Sequence, residues 1–367
     1  MEIRSIEVYS VVLFYCEPFK IALGTEVESK NIVVKVHTDS DVFGIGEASP
    51  FEKVTHETPQ TVMQALEKIA PKLIGMCPLR IEKIAETMDQ AIAENPSAKA
   101  AIDMALYDIL GKTAGQPLFK LIGGFREDVL TDFTLGIKES KEMAKDAAKA
   151  VKKDFKALKV KVGINPEEDV ERIKRIRETV GPDILIRIDA NQGWNVQQAI
   201  DTLGKLERFN VQFAEQPVKA DDIKGMAKVK KNSSIPIMAD ESVHTPSDAM
   251  RAIREEAIDI INIKLMKSGG ILKAKKIAAI AESADVPCMI GCMSESAIGI
   301  AAGVHLAAAV KNIQYADLDS DMLINDKLVL QGRAELRNSR RIPSQSPGLG
   351  IIKLDDKILG KPKKVYE

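Results

Sequence analysis

The stretch Ala157–Trp194, ALKVKVGINPEEDVERIKRIRETVGPDILIRIDANQGW, decides the fold. It opens with a run, Ala157–Val162, in which only Lys159 and Lys161 interrupt the apolar residues, and ends near a second run, Ile184–Ile188. Between them, Pro166–Thr179 reads as an amphipathic helix. Strands written as near-continuous apolar runs are buried on both faces, and strands that alternate with helices form a parallel sheet. The same texture extends in both directions. Further runs lie at Leu130–Leu135, Val211–Ala214, Ile235–Ala239, Ile258–Ile263, Pro287–Ile290 and Gln314–Ala316, which brings the strands to eight. Helical segments at Glu139–Lys153, Val196–Phe209, Asp222–Lys231, Pro246–Glu255, Ile271–Ser283 and Ser294–Val310 separate them. Eight such units close into an α/β barrel of (β/α)8 type. The spacing is too even for a dinucleotide-binding sheet, and no GxGxxG sits at a strand–helix turn.

Upstream of the barrel the texture differs. Ile32–Val36 and Phe43–Ala48 read as strands around a polar turn at Asp39-Ser40-Asp41, with Gly44 and Gly46 permitting close approach. Helical patterns follow at Thr58–Ala70, Arg80–Ala93 and Ala98–Ala114, the last stopped by Gly115 and Pro117. The expected division is an α+β capping domain over residues 1–126 and a catalytic barrel over 127–326. The Pro- and Gly-rich tail, 327–367, is expected to return and pack on the cap. Lys and Arg total 52 and Asp and Glu 53, so neither a nucleic-acid partner nor an acidic tail is expected. No signal peptide and no membrane-length apolar run is apparent, and the four scattered cysteines lack CxxC spacing. A cytoplasmic protein with reduced thiols is the expectation; a homo-oligomer stays open.

In such barrels chemistry sits at the carboxyl ends of the strands. Those ends carry Lys159 and Lys161, then Asp189, Glu215, Asp240 with Glu241, Lys264, Glu295, and Asp317 with Asp319. One charge ending a strand is usually a solvated loop start; five consecutive strands ending so are not. Asp189, Glu215 and Asp240 fall on three neighbouring strands and would repel strongly without a cation between them. Oxygen-only ligation points to Mg²⁺, or Mn²⁺, rather than zinc. His37, His56, His244 and His305 lack metal-binding spacing and read as surface or packing residues. Lys161 and Lys264 end strands two and six, opposite each other in an eight-stranded barrel. A lysine beside a divalent cation and a second lysine has its neutral form favoured, which suits a base. Lys159 faces the same way as Lys161 by strand alternation and can bind a substrate carboxylate.

These residues resemble the enolase superfamily in its muconate-lactonizing subgroup. The resemblance rests on Lys159-Val-Lys161, Asp189-Ala-Asn191-Gln-Gly-Trp194, Glu215-Gln-Pro217, Asp240-Glu241-Ser242 and Lys264-Leu-Met-Lys267-Ser-Gly-Gly270, with Gly44–Ala48 and Ile102–Gly124 in the cap. It covers nearly the whole chain. It implies the (β/α)7β form of the barrel, Lys161 and Lys264 as acid/base pair, Asp189, Glu215 and Asp240 as Mg²⁺ ligands, and Asn191 and Glu241 as groups that hold those ligands. Lys267 reads as a solvent-exposed loop charge and Trp194 as packing.

Asp317-Leu318-Asp319 is similar to the DxD motif of the dipeptide epimerases, the L-Ala-D/L-Glu epimerase-like branch. There the two carboxylates hold the substrate's free α-ammonium. The implied reaction inverts the α-carbon of the C-terminal residue of an L,L-dipeptide by two-base proton transfer through an enediolate. Lys159, Glu295, Gly24 and Thr25 join Asp317 and Asp319 as expected substrate contacts. Members that prefer Ala-Glu place an Arg near the position of Gly24; this chain has none. Ile21 and Leu23 would suit an apolar side chain, Glu26 and Glu28 a cationic one, and Lys20 an anionic one. Pro18–Lys30, with Pro50–Glu57, is expected to be a mobile loop that closes the barrel mouth. Three alternatives share the superfamily: N-acylamino acid racemase, o-succinylbenzoate synthase and muconate cycloisomerase. A Schiff-base aldolase leaves the three carboxylates unexplained, and an inactive barrel predicts a broken ligand set.

Overall fold

The computed structural model describes residues 1–367. An N-terminal sheet forms from β1 (Ile3–Ile21), β2 (Gly24–Thr38) and β3 (Phe43–Ala48), all antiparallel. The helix Pro96–Ala114 crosses this sheet and is buried along nearly its whole length. That closeness depends on two glycines: a Cβ on Gly44 or Gly46 would lie 1.9 Å from the carbonyl oxygen of Ala105 or Ala101. The segment Pro18–Lys30, expected as a loop, is instead the tip of the β1–β2 hairpin. Phe19 pairs with Glu26 and Ile21 with Gly24, beyond a register shift between Phe14 and Phe19.

Eight parallel strands follow β4 (Val129–Leu130): β5 (Phe133–Leu135), β6 (Ala157–Lys161), β7 (Leu185–Asp189), β8 (Val211–Glu215), β9 (Ile237–Ala239), β10 (Ile260–Lys264), β11 (Cys288–Gly291) and β12 (Ile313–Asp317). They neighbour each other in sequence order. The expected first strand, Leu130–Leu135, is divided into β4 and β5. At the break Thr131 bridges Ala316, and its hydroxyl oxygen accepts the Leu318 N–H at 2.9 Å, so the ring closes through Thr131 rather than through a strand pair. The barrel interior is filled. Arg187, 1% exposed, is bound to Asp132 at 2.7 Å and lies over the rings of Phe213 and Tyr315. A guanidinium buried here needs that carboxylate, because an unpaired charge in a dry core costs several kcal/mol.

The tail forms β13 (Val329–Gln331), β14 (Glu335–Arg337), β15 (Arg340–Ile342), β16 (Lys353–Leu354) and β17 (Lys364–Tyr366). β15 pairs with β4, while β17 adds to the N-terminal sheet through Ile6↔Tyr366. No helix is long and apolar enough to cross a membrane.

Candidate active site

The two parts of the chain are joined beside the barrel mouth by Glu47. Its carboxylate, fully buried, accepts hydrogen bonds from Asn31 Nδ2 at 2.7 Å, from the Ser296 hydroxyl at 2.8 Å and from the Gly299 N–H at 3.0 Å. Ser296 and Gly299 belong to the start of the helix Ala297–Ala309, where unpaired N–H groups favour an anion. This anchor helps hold the N-terminal sheet against the barrel, and the β1–β2 hairpin covers the mouth. Tyr15 Oη meets Ser294 Oγ, and Phe14 O accepts the Asn325 N–H at 2.7 Å.

Beneath the hairpin lies a cavity whose floor is charged and whose outer wall is largely apolar. Lys159, Lys161, Asn191, Asp240, Glu241, Lys264, Asp317 and Asp319 reach it from the barrel, and Tyr15, Phe19, Ile21 and Leu23 from the hairpin. Asp240, which lines it, clusters with the buried Asp189 and Glu215. Each can offer one oxygen, and those atoms lie within 4.8 Å of one another. Four ammonium groups meet these carboxylates. Lys159 Nζ is 3.1 Å from Asp189, 2.8 Å from Glu215 and 2.7 Å from Asp317. Lys161 Nζ is 2.6 Å from Asp189, and Lys264 and Lys267 bind the two oxygens of Asp240 at 2.7 and 2.6 Å.

This density of charge perturbs several of these groups. Burial would raise Asp240, but Lys264 and Lys267 hold it well below the usual carboxylate range. Burial and then Asp189 push Glu215 up to about 8. Burial works against the Lys264 ammonium, yet Asp240 holds its pKa above the ordinary lysine value. Burial and Asp240 push Glu241 up to about 7. The donor set fits a hard divalent cation: three buried carboxylates, no His and no Cys. Glu215 Oε2 and Asp240 Oδ1 have charge contacts but no hydrogen-bonding geometry, which leaves lone pairs for such an ion.

Asn191 and Glu241 stand together above this cluster. Asn191 accepts from Lys161 Nζ at 3.1 Å and donates to Glu241 at 3.2 Å. At the far side, Thr134 N–H donates to Asp319 at 2.6 Å and the Thr134 hydroxyl to Asp317 at 3.3 Å. Burial would raise Asp317, but Lys159 keeps it low; burial and then Asp317 push Asp319 up to about 7. Cys292 makes a second acidic group with this pair, but burial keeps its thiol protonated, and a neutral thiol is a poor ligand for a hard cation.

Several expected residues lie elsewhere. Glu295 does not line the cavity: it is buried below its own loop and accepts the Met293 N–H at 3.1 Å. Gly24 and Thr25 form the hairpin tip, while Ile21, Leu23 and Glu26 provide the wall. Lys267, expected in solvent, is 2% exposed and donates to the carbonyls of Asp240, Val243 and Asn262. His305 is a packed core residue, accepting the Phe119 N–H at Nδ1. Trp194 is also packed, with Nε1 on Asp169 at 3.2 Å. Tyr15, Cys292 and the Arg187–Asp132 pair carried no motif that would have singled them out.

Residues 5–123 match the mandelate racemase / muconate lactonizing enzyme N-terminal domain, and residues 142–357 the enolase C-terminal domain-like family. The chain belongs to the enolase superfamily. Within that superfamily it is 42% identical over 352 residues to the hydrophobic dipeptide epimerase of Enterococcus faecalis, covering 96% of this chain and 99% of that one. It is 43% identical over 338 residues to the L-Ala-D/L-Glu epimerase of Clostridium acetobutylicum, covering 91% and 94%. The structure of the Cytophaga hutchinsonii dipeptide epimerase complexed with Mg and dipeptide D-Ala-L-Val superposes with a TM-score of 0.96 at 38% identity, covering 100% of both chains.

Proposed function

We propose that this chain is a Mg²⁺-dependent dipeptide epimerase that inverts the α-carbon of the C-terminal residue. One observation carries the reading: two lysines on opposite strands and a separate acidic pair line one cavity, together with Asp240 of a three-carboxylate cluster. The bound-dipeptide structure and the two epimerase relatives support it. An acidic pair opposite the carboxylate cluster suits a ligand with an ammonium end and a carboxylate end, and disfavours the dianionic substrates of the cycloisomerase alternative.

In this reading Asp189, Glu215 and Asp240 hold Mg²⁺, and Lys267, Asn191 and Glu241 keep those ligands in place. An ion held there would share these carboxylates with the lysines and would supply positive charge where the substrate carboxylate gains negative charge. Asp317 and Asp319 accept the free α-ammonium, and Lys159 orients Asp317. Lys161 and Lys264 then face the two sides of the α-carbon. One, as a neutral amine, takes the α-proton, and the C–H electrons move into the carboxylate to give an enediolate. The other, as ammonium, returns a proton to the opposite face. Residues 1–126 with 327–367 serve as the cap and 127–326 as the catalytic barrel of a cytoplasmic enzyme.

The test is proton NMR in D₂O with Lys161→Ala and Lys264→Ala, following α-proton loss from each epimer separately. Both variants should fail to invert, and each should exchange the α-proton of one epimer only, with opposite preferences. A variant that inverts at close to the parent rate refutes the two-face mechanism.

A further inference from the structure

Glu26 is the one carboxylate that the hairpin contributes to the cavity wall, among the apolar Ile21, Leu23, Phe51 and Val54. An acidic group there would attract a cationic side chain and repel an anionic one. It does not stand alone. Lys53, on the short helix Glu52–Thr55, brings Nζ to 3.5 Å from Glu26 Oε1 and lies over the Phe51 ring at 5.8 Å. Lys53 itself is not part of the cavity lining.

The space for this ammonium comes from Gly24. A Cβ built there would lie 2.5 Å from Lys53 Nζ, and the φ of +144° is one that other residues rarely adopt. Two positions on the hairpin and one on a separate helix thus make one device. Gly24 leaves the room, Lys53 fills it, and Glu26 is neutralised from behind.

We infer that Lys53 is a specificity-determining residue, an internal cation that occupies Glu26 and so restricts the enzyme to dipeptides whose epimerised residue has an uncharged, apolar side chain. The inference rests on the epimerase reading. This wall and the reacting centre share one cavity, since Leu23 lines it together with Asn191, the acceptor of the Lys161 ammonium. A cationic side chain would have to displace Lys53, and an anionic one would find no free cation in the wall, because Lys53 is held on Glu26 outside the lining. An apolar one meets Ile21, Leu23, Phe51 and Val54 at no electrostatic cost.

The experiment measures kcat/KM by deuterium incorporation for L-Ala-L-Leu, L-Ala-L-Lys and L-Ala-L-Glu with Mg²⁺ present. The enzymes are the parent, Lys53→Met, Gly24→Ala and Lys53→Met/Glu26→Gln. The parent should favour L-Ala-L-Leu. Lys53→Met should raise the Lys-to-Leu ratio by about fivefold, the upper range for a partly exposed ion pair. Gly24→Ala should move the ratio in the same direction by pushing Lys53 aside, and the double variant should return it to the parent value. A Lys-to-Leu ratio unchanged in Lys53→Met overturns the inference. So does a selective loss of L-Ala-L-Glu turnover, which would make Lys53 a direct ligand for an anionic side chain. A parent that exchanges no dipeptide α-proton fails the epimerase reading and takes the inference with it. A parent active on dipeptides with no ratio change fails the inference alone.

Discussion

Replacing Lys267 with Met should destabilise the protein. Met keeps most of the length and the apolar stem but removes the ammonium. The Lys267 side chain is 1% exposed, and its Nζ lies 3.1 Å from both Val243 O and Asn262 O, contacts Asp240 O, and lies 2.6 Å from Asp240 Oδ1. Without it three carbonyls and one carboxylate oxygen converge on a methyl group. Removing one partner of a buried ion pair costs about 3–5 kcal/mol. Lys264 remains 2.7 Å from the other oxygen of Asp240, which places the expected loss near the lower end, about 3 kcal/mol. For a chain of 367 residues the unfolding entropy is about 0.8 kcal/mol per kelvin, so Tm should fall by about 4 °C. The assay is thermal unfolding followed by circular dichroism, with Lys267→Arg as a charged control that should retain part of the loss. A Lys267→Met variant whose Tm lies within about 1 °C of the parent would show that the buried ammonium contributes no net stability, contrary to the cost assigned to breaking such a pair.

Two further outcomes follow from the same structure. Asp103 is buried and accepts the Ile271 N–H at 2.5 Å, and burial pushes its carboxyl up to about 7. Above the unfolded pKa the unfolded chain releases this proton while the folded chain keeps it, so this group costs stability progressively from about pH 4 to pH 7. The Tm of Asp103→Asn minus that of the parent should therefore rise with pH across that window; a flat difference would refute the assignment. The acidic pair is tested chemically. N-acetylating the best dipeptide removes the cation that Asp317 and Asp319 are proposed to bind, and kcat/KM should fall by at least about tenfold, because two buried acceptors lose a charged donor. Equal or better turnover of the acetylated compound would instead favour an acylamino acid racemase.

The alternation of apolar runs with amphipathic helices is a local property of the chain, and it was enough to specify a parallel barrel and to place Lys161, Asp189, Glu215, Asp240, Lys264 and Asp317 at one end of it. Strand-end position is legible in sequence because a residue that ends an apolar run also ends the strand. What happens after that residue is not. Glu295 follows its strand as the others do, but the loop turns it beneath its own backbone and away from the cavity. Lys267 is separated from Lys264 by Leu265 and Met266 in a turn that looks solvated, yet two carbonyls from the loop after β9 and one from β10 converge there. Pro18–Lys30 has the polar, Gly-containing composition of a loop, and only pairing between β1 and β2 makes it a hairpin. The neutralised Glu26 depends on Gly24 and Lys53 arriving from separate segments. Local periodicity determines which elements form and which residues end them. Long-range packing decides which of those charges reach a common cavity, because desolvation and pairing act on distances in space rather than along the chain.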